Sequence, residues 1–443
     1  MPPRITSNGL AGIAAIGGMG VSSSILAGTC ALLMTLLPAA GGPPFGWEGA
    51  TPIEFNNRGA GLPDVAVDRS GNAVVVWKEA GSGIWANVFS TGERWGVATL
   101  VYANQVCPGG CPEAEAPYVD VDAAGNALAV WAQGHEVWSS RFVRGAGWGP
   151  PTLVETLAGV LANPQVGVDA SGRGIAVWTQ WDGTAWSIWA NRFVPEEGWA
   201  TPRPIEDSPY RAGNVRISVG TNGHAVVVWG QSGGSPSSCC IWANSFDPGT
   251  GWGAATRIED QPGLPGAPRI AVDAAGNGLA VWGYHGKEVA RRFVPGVGWG
   301  TPTLFTTAGG TGLDVAINDA GRAVVVWVQL EGGGWSGIWA TRFDPDIGWG
   351  KATRMRHLTS FVGGLQVDVD STGDAMAVWY EYSYTIWANR LDWRSGWGKA
   401  TRVDDEVGNK LFPQIGVDQA GSAVVVWSQW DGIWVNRYVA RTH

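Results

Sequence analysis

The sequence predicts an all-β fold, an eight-bladed β-propeller of four-stranded antiparallel blades, from three observations. A motif like Val-Asp-x-x-Gly-Asn-Ala-Val-Val-Val-Trp occurs eight times in 443 residues, with copies about 50 residues apart. Each unit contains four runs of strand length, rich in β-branched and aromatic residues and without helical periodicity. The chain also begins with an isolated fourth run and ends with three runs. Four strands in about 50 residues is the size of a propeller blade.

Tryptophan marks three positions of the repeat, and only the fifth unit departs, with Val289 in its third run. One closes the second run, one lies in a third run like Ile-Trp-Ala-Asn-Arg-Phe, and one lies ten residues later in Gly-Trp-Gly-x-Ala-Thr. Together these positions hold 23 of the 28 tryptophans, and large rings at fixed sites fill the space between twisted blades. Asp-x-x-Gly joins the first run to the second, as a tight turn does. The second-run tryptophans are Trp77, Trp131, Trp178, Trp229, Trp282, Trp327, Trp379 and Trp427.

The two ends of the repeat region complement each other. Gly46 to Ile53 reads as a fourth strand without the first three, and the last unit stops at Val439 with three strands. We therefore expect the N-terminal strand to complete the last blade and close the ring, which leaves no unpaired inner edge.

The first 42 residues have the composition of a targeting segment. Residues 5–47 contain no Asp, Glu, Lys or Arg, and an apolar stretch is followed by small residues. We expect an export signal over residues 1–42 and the propeller over residues 43–443, with a secreted, periplasmic or cell-surface location. An uncleaved membrane anchor and lipidation at Cys30 are the alternatives, and such an anchor is the only membrane contact expected.

Export makes disulfide bonds possible. Cys107 and Cys111 could close a small loop, and Cys239 and Cys240 could form a vicinal bridge or pair elsewhere. Spacing alone does not fix the connectivity.

Composition and motifs exclude several function classes. The net charge is −9 and no basic cluster is present, so nucleic acid is not an expected partner. Neither Gly-x-Ser-x-Gly nor His-Glu-x-x-His occurs, and no Cys or His group has zinc spacing. The sequence assigns no catalytic residue, no metal site and no cofactor.

The loops indicate which side of the ring binds. The turns between the first and second runs and between the third and fourth hardly vary. Between the second and third runs, the spacing of tryptophans ranges from 7 to 13 residues. Variable loops on a rigid scaffold are where binding residues concentrate. The candidate ligand-binding residues on this side are Trp181, Trp186, Trp335, Trp430, Gln180, Gln429, Glu381, Tyr382 and Tyr284.

These residue types suit a sugar. The C–H face of a sugar ring stacks on an aromatic ring, and its hydroxyls need donors and acceptors together. We therefore expect a binding module for glycans, with loop packing as the structural alternative for each tryptophan. Polar residues at the start of each inner strand, such as Asp64, Arg216 and Asp314, should ring the channel mouth. A protein-interaction scaffold at the cell surface and a polysaccharide-degrading enzyme are the alternative functions.

The motifs also carry resemblances. Val-Asp-x-x-Gly-Asn-Ala resembles NHL-type repeats, and Asp-x-x-Gly before a strand and Trp is similar to the Asp-boxes of sialidase-like propellers. The complete repeat over residues 46–443 resembles a group of exported bacterial β-propeller proteins. Propeller lectins are a more distant analogy. The box lacks its Ser and has an extra residue before Gly, and no lectin site motif matches, so the resemblance implies the fold and no binding residue.

Overall fold

The computed structural model describes residues 45–54, 59–104, 113–115, 117–155, 161–181, 183–232, 239–259, 265–306, 310–332, 335–358, 361–381, 384–405, 408–430 and 432–441. They form eight antiparallel sheets in an eight-bladed β-propeller, which confirms the predicted fold class. No element in these ranges is a helix long and apolar enough to span a membrane.

In each blade, strand one lines the central channel and strands two to four follow outward. Strand one of every blade contacts strand one of the next blade around the whole circle. From blade 1 to blade 8, strand one comprises Ala60–Val67, Tyr118–Val121, Leu161–Val168, Ala212–Val219, Arg269–Val272, Gly310–Ile317, Val362–Val369 and Lys410–Val417. Strand two comprises Ala73–Glu79, Ala127–Gln133, Gly174–Trp181, Ala225–Ser232, Gly278–Tyr284, Ala323–Gly332, Ala375–Glu381 and Ala423–Gln429.

The outer two strands complete each blade, and strand four is usually interrupted. Strand three comprises Gly83–Phe89, Glu136–Val143, Trp186–Val194, Cys239–Asp247, Lys287–Val294, Trp335–Asp344, Thr385–Asp392 and Gly432–Val439. Strand four of blade 1 is Thr99–Ala103. In blades 2 to 7 its two parts are Gly147–Trp148 and Thr152–Leu153, Gly198–Trp199 and Arg203–Pro204, Gly251–Trp252 and Thr256–Arg257, Gly298–Trp299 and Thr303–Leu304, Gly348–Trp349 and Thr353–Leu358, and Gly396–Trp397 and Thr401–Arg402.

The N-terminal strand closes the ring as predicted. Gly46–Trp47 and Thr51–Pro52 pair with strand three of blade 8, where Trp47 lies opposite Tyr438. The ring of Trp47 meets the ring of Tyr438 edge to face at 5.5 Å. Blade 8 is therefore built from both ends of the propeller.

The strand-two tryptophans form the core between neighbouring blades. All eight are fully buried. Trp229 of blade 4, for example, packs with Val177 and Ile188 of blade 3. A buried tryptophan stabilises a fold by about 3–5 kcal/mol relative to alanine, so these rings fix how the blades pack.

The Asp-x-x-Gly turns act as the sequence predicted. Oδ1 of Asp68 accepts hydrogen bonds from the backbone N–H groups of Ser70 and Asn72, at 2.8 and 2.9 Å. The turn glycine is needed for two reasons, shown at Gly125: its φ is +79°, and an added Cβ would lie 2.8 Å from the Asp68 carboxylate of the preceding blade. The aspartate is thus a turn-forming residue.

The adjacent cysteines do not form the vicinal bridge that the sequence allowed. Cys239 and Cys240 are both free thiols. They are successive residues of an extended strand, so their side chains point to opposite faces. Cys107 and Cys111 lie outside the described residues.

Candidate functional site

The two sides of the ring carry different connections. We call the side with the strand two to three hairpins and the blade-to-blade connections the loop face, and the opposite side the turn face. The predicted site residues belong to hairpins of the loop face in blades 3, 5, 6, 7 and 8.

The two predicted glutamines are bonded to core tryptophans. Gln180 is 2% exposed, and its Oε1 accepts a hydrogen bond from Trp178 Nε1 at 2.7 Å. Gln429 accepts the corresponding bond from Trp427 Nε1 at 3.0 Å. Both side chains therefore have a role in the core, and their contact with a ligand stays a prediction.

Glu381 is held in a charged network. It accepts a hydrogen bond from Trp379 Nε1 at 3.0 Å and two from the Arg356 guanidinium, at 2.9 and 3.1 Å. That guanidinium also lies 4.4 Å from the Trp387 ring centroid. Glu381 thus joins strand two of blade 7 to strand four of blade 6.

The structure describes one of the two predicted tyrosines, Tyr284. Tyr284 meets His285 edge to face at 4.5 Å, and burial raises the pKa of its hydroxyl, with a further rise from Glu259. Tyr382 lies outside the described residues.

Of the four predicted tryptophans, two come together. Trp181 and Trp186 face each other across the blade 3 hairpin, with ring centroids 6.2 Å apart. Trp430 is 68% exposed at the tip of the blade 8 hairpin. Trp335 begins strand three of blade 6, opposite Gly332. Among the candidate side chains that the structure describes, Trp181 and Trp186 thus form one pair.

A cavity of about 400 Å³ opens beside this pair, between blades 3 and 4. An aromatic ring, a guanidinium, two carboxamides, two hydroxyls and a thiol line it. These belong to Trp186, Arg211, Asn163, Asn214, Thr179, Ser232 and Cys239, and Ala212, Gly213 and Gly230 complete the wall.

Small residues on both sides of the boundary between blades 3 and 4 create the cavity. The residue after the core tryptophan is Thr179 in blade 3 and Gly230 in blade 4, where blades 1 and 7 carry Lys78 and Tyr380. A Cβ added to Gly213 would meet no atom within 4 Å. Small residues on both sides of the blade boundary therefore leave room for a ligand.

A repeated irregularity of strand one shapes the cavity rim. The pairing of strands one and two shifts between Ala162 and Gln165 and between Gly213 and Arg216. At each shift an asparagine, Asn163 or Asn214, has a φ of +54°. Asparagine tolerates this left-handed conformation better than most residues, and a bulge re-aims the side chains around it.

Thr179 is a buried group that lacks a partner. It is 5% exposed, and within the described ranges its Oγ1 makes no hydrogen bond. Leaving a buried hydroxyl unpaired costs about 1–3 kcal/mol.

Polar residues of strand one interact with one another between blades, and their place at the channel mouth stays a prediction. Arg269 and Asp314 of neighbouring blades pair at 3.7 Å. Asp64 accepts the backbone N–H of Val119 at 2.9 Å and so bonds blade 1 to blade 2. Burial raises the pKa of Asp64 to about 7, against the lowering effect of that hydrogen bond.

A second cavity, of about 480 Å³, lies on the turn face at Trp393. The guanidinium groups of Arg322 and Arg342 each lie 5.2 Å from the Trp393 ring centroid. The polar groups here already have partners: Asp374 accepts from Arg390 and from the Trp393 backbone, and Arg322 donates to Asp344. This cavity offers fewer free groups than the one between blades 3 and 4.

Sequence reasoning missed most of the cavity. It singled out Trp186 but not Arg211, Asn163, Asn214 or Thr179. Aligning the eight repeats gives one usable signal, the residue after the core tryptophan, which is Gly230 in blade 4 but Lys78 in blade 1 and Tyr380 in blade 7. The position of Arg211 has no such signal because it lies in a variable connection.

Comparison with known proteins shows the fold alone. No family model and no curated protein matches the sequence. Among solved structures, the chain is similar to the BP39L lectin from Burkholderia pseudomallei, with 12% identity and a TM-score of 0.53 over 78% of this chain and 99% of that one. It is also similar to Saccharomyces cerevisiae Sqt1, with 9% identity and a TM-score of 0.53 over 87% and 98%.

Proposed function

We propose that this chain is an exported carbohydrate-binding propeller whose ligand site is the cavity between blades 3 and 4. Its lining carries the proposal. An indole ring at Trp186 offers a surface for the C–H face of a sugar, and the amides of Asn163 and Asn214 offer donors and acceptors for its hydroxyls. Export rests on the composition of residues 1–42.

Size and hydrogen bonding support the same ligand class. A volume of about 400 Å³ falls in the range of small-molecule sites, roughly 300–1,000 Å³. Ser232 adds a hydroxyl to the carboxamides and the guanidinium of the wall, whose apolar part includes the indole of Trp186 and Ala212. Such a wall matches a molecule with an apolar face and a polar edge.

The structural neighbours do not decide the function. One is a lectin by its published description, and that likeness makes lectin activity possible on this architecture. Sqt1 shares the architecture to the same degree. The proposal therefore depends on the cavity and its chemistry.

The first experiment blocks the cavity and uses the repeat as its own control. Gly213→Val and Gly61→Val change equivalent positions of blades 4 and 1, and at both an added Cβ meets no atom within 4 Å. We expect Gly213→Val to abolish binding to a glycan array and Gly61→Val to retain it, because only the former fills the cavity. Matched melting temperatures would show that both variants fold.

Trp186→Ala tests the stacking surface. We expect it to weaken the affinity for the best array ligand by about tenfold or more, since aromatic anchors dominate binding. A blank array for the full chain, or equal binding by Gly213→Val and Gly61→Val, would remove the proposal. A protein captured equally well by both glycine variants would favour the scaffold instead.

A further inference from the structure

The described side chains that line the cavity between blades 3 and 4 carry a positive charge, although the net charge of the whole chain is −9. Of the described residues that line it, Arg211 is the one with a charged side chain. At physiological ionic strength a charge is screened over about 8 Å. A ligand in the cavity therefore experiences Arg211 more strongly than the net charge of the protein.

The donors of Arg211 are free for a ligand. Its guanidinium lies 5.7 Å from the Trp186 ring centroid, a distance typical of a cation–π contact. Within the described part of the chain it makes no ion pair and no side-chain hydrogen bond. The buried acid earlier in the same connection, Glu206, is already engaged by the Ser208 backbone and the Ser187 hydroxyl.

A second arginine of blade 4 faces the central channel rather than the cavity. Arg216 of strand one donates to the Val215 carbonyl at 2.9 Å, and no carboxylate in the described ranges lies within 4 Å of it. The neighbouring Arg269 is paired with Asp314. Arg216 is not among the residues that line the cavity, and Asp64 and Asp314 around the channel attract it, so Arg211 is the guanidinium that a ligand in the cavity would meet.

We propose that the cavity selects anionic saccharides, with a ring carboxylate or sulfate bound by Arg211 while the sugar packs on Trp186. The inference rests on the proposed function and names its substrate class. The planar guanidinium fork matches a carboxylate or sulfate in a two-point contact. With a neutral sugar bound, the N–H groups of Arg211 would donate to water instead of to a charged group of the ligand.

The test compares sugars that differ only at the charged group. The full chain is titrated calorimetrically with methyl glucoside, methyl glucuronide and methyl glucoside 6-sulfate, and with the matching galactose series. Arg211→Gln removes the charge, and Arg203→Gln, on exposed strand four of blade 3, is the control with the same charge change.

We expect a charged member of a series to bind at least about tenfold more tightly than its neutral counterpart, the range of one charge-assisted hydrogen bond. Arg211→Gln should remove that preference, Arg203→Gln should keep it, and added salt should reduce it. Preference for the glucuronide identifies a carboxylate site, and preference for the sulfate a sulfate site.

Equal binding of neutral and charged sugars, or a preference that survives Arg211→Gln, would overturn the inference and leave carbohydrate binding standing. If no saccharide on the array or in the titrations binds, and Gly213→Val behaves like Gly61→Val, both proposals fail together.

Discussion

At the scale of single residues, the polar side chain two positions after the core tryptophan accepts a hydrogen bond from the indole N–H in blades 3, 4, 6, 7 and 8. Gln180, Gln231 and Gln429 accept this bond in three of them, at 2.7, 2.7 and 3.0 Å. In blade 5 that position is Tyr284, and Glu259 of the preceding connection accepts from Trp282 in its place. Alternate residues of a strand share a face, so this pairing could have been predicted from the repeat.

We predict that Gln180→Met lowers the free energy of unfolding by about 1–3 kcal/mol, because it leaves a buried indole N–H unpaired. Denaturant unfolding monitored by fluorescence measures the change. Trp430→Ala, at an exposed hairpin tip, should change stability by less than about 0.5 kcal/mol. An unchanged stability in Gln180→Met, together with lost sugar binding, would assign Gln180 to the ligand instead.

At the scale of elements, the N-terminal strand differs from every other fourth strand in how it is attached. Ile53 is 2% exposed and its N–H donates to the Ile433 carbonyl at 2.9 Å. Ile205 holds the equivalent position in blade 3, with a bond to Ile188 at the same distance. Ile205 follows strand three directly along the chain, whereas Ile53 is far from its partner in sequence.

We predict that Ile53→Ala and Ile205→Ala each cost about 2–4 kcal/mol, as buried aliphatic truncations do, but differ in local opening. Only Ile53→Ala should expose the N-terminal strand to hydrogen exchange and to limited proteolysis before global unfolding. Equal protection of residues 46–53 in both variants would show that ring closure does not depend on this contact.

The strands show where sequence reasoning reaches its limit. Alternation and the tryptophan positions predicted the four strands of each blade and the closure by residues 46–53. The bulge in strand one was not predicted, because the residue in the left-handed conformation is Leu62 in blade 1, Phe412 in blade 8 and glycine only in blades 6 and 7. Tertiary packing overrides local preference there, and the cavity rim depends on it.

At the scale of the whole molecule, carboxylates of strand one bond neighbouring blades around the channel. Asp120 accepts the Val168 N–H at 2.7 Å, and Asp368 accepts the Val417 N–H at 2.7 Å. Where the equivalent residue is glycine the blades approach more closely: a Cβ on Gly167 would lie 2.5 Å from Val219. The ring is therefore held by polar bonds at some boundaries and by close apolar contact at others.

These carboxylates predict how stability depends on pH. Burial raises the pKa of Asp64 and Asp368 to about 7 and that of Asp120 to about 6, from an ordinary value of 3.8. Between about pH 4 and 7 the folded state therefore binds protons more tightly than the unfolded chain. The free energy of unfolding should rise as the pH falls through 7 and level off near 4.

We predict a melting temperature a few degrees higher at pH 5 than at pH 8, and a smaller difference in the double variant Asp64→Asn, Asp368→Asn, which cannot titrate at these positions. Asp247→Asn is the control, because backbone N–H groups lower the pKa of that exposed carboxyl and its removal should leave the slope between pH 5 and 8 unchanged. A melting temperature that increases from pH 5 to 8, or an equal slope in the double variant, would mean that the channel carboxylates are ionised in the folded ring. The blades would then be held by charged rather than neutral side chains at the axis.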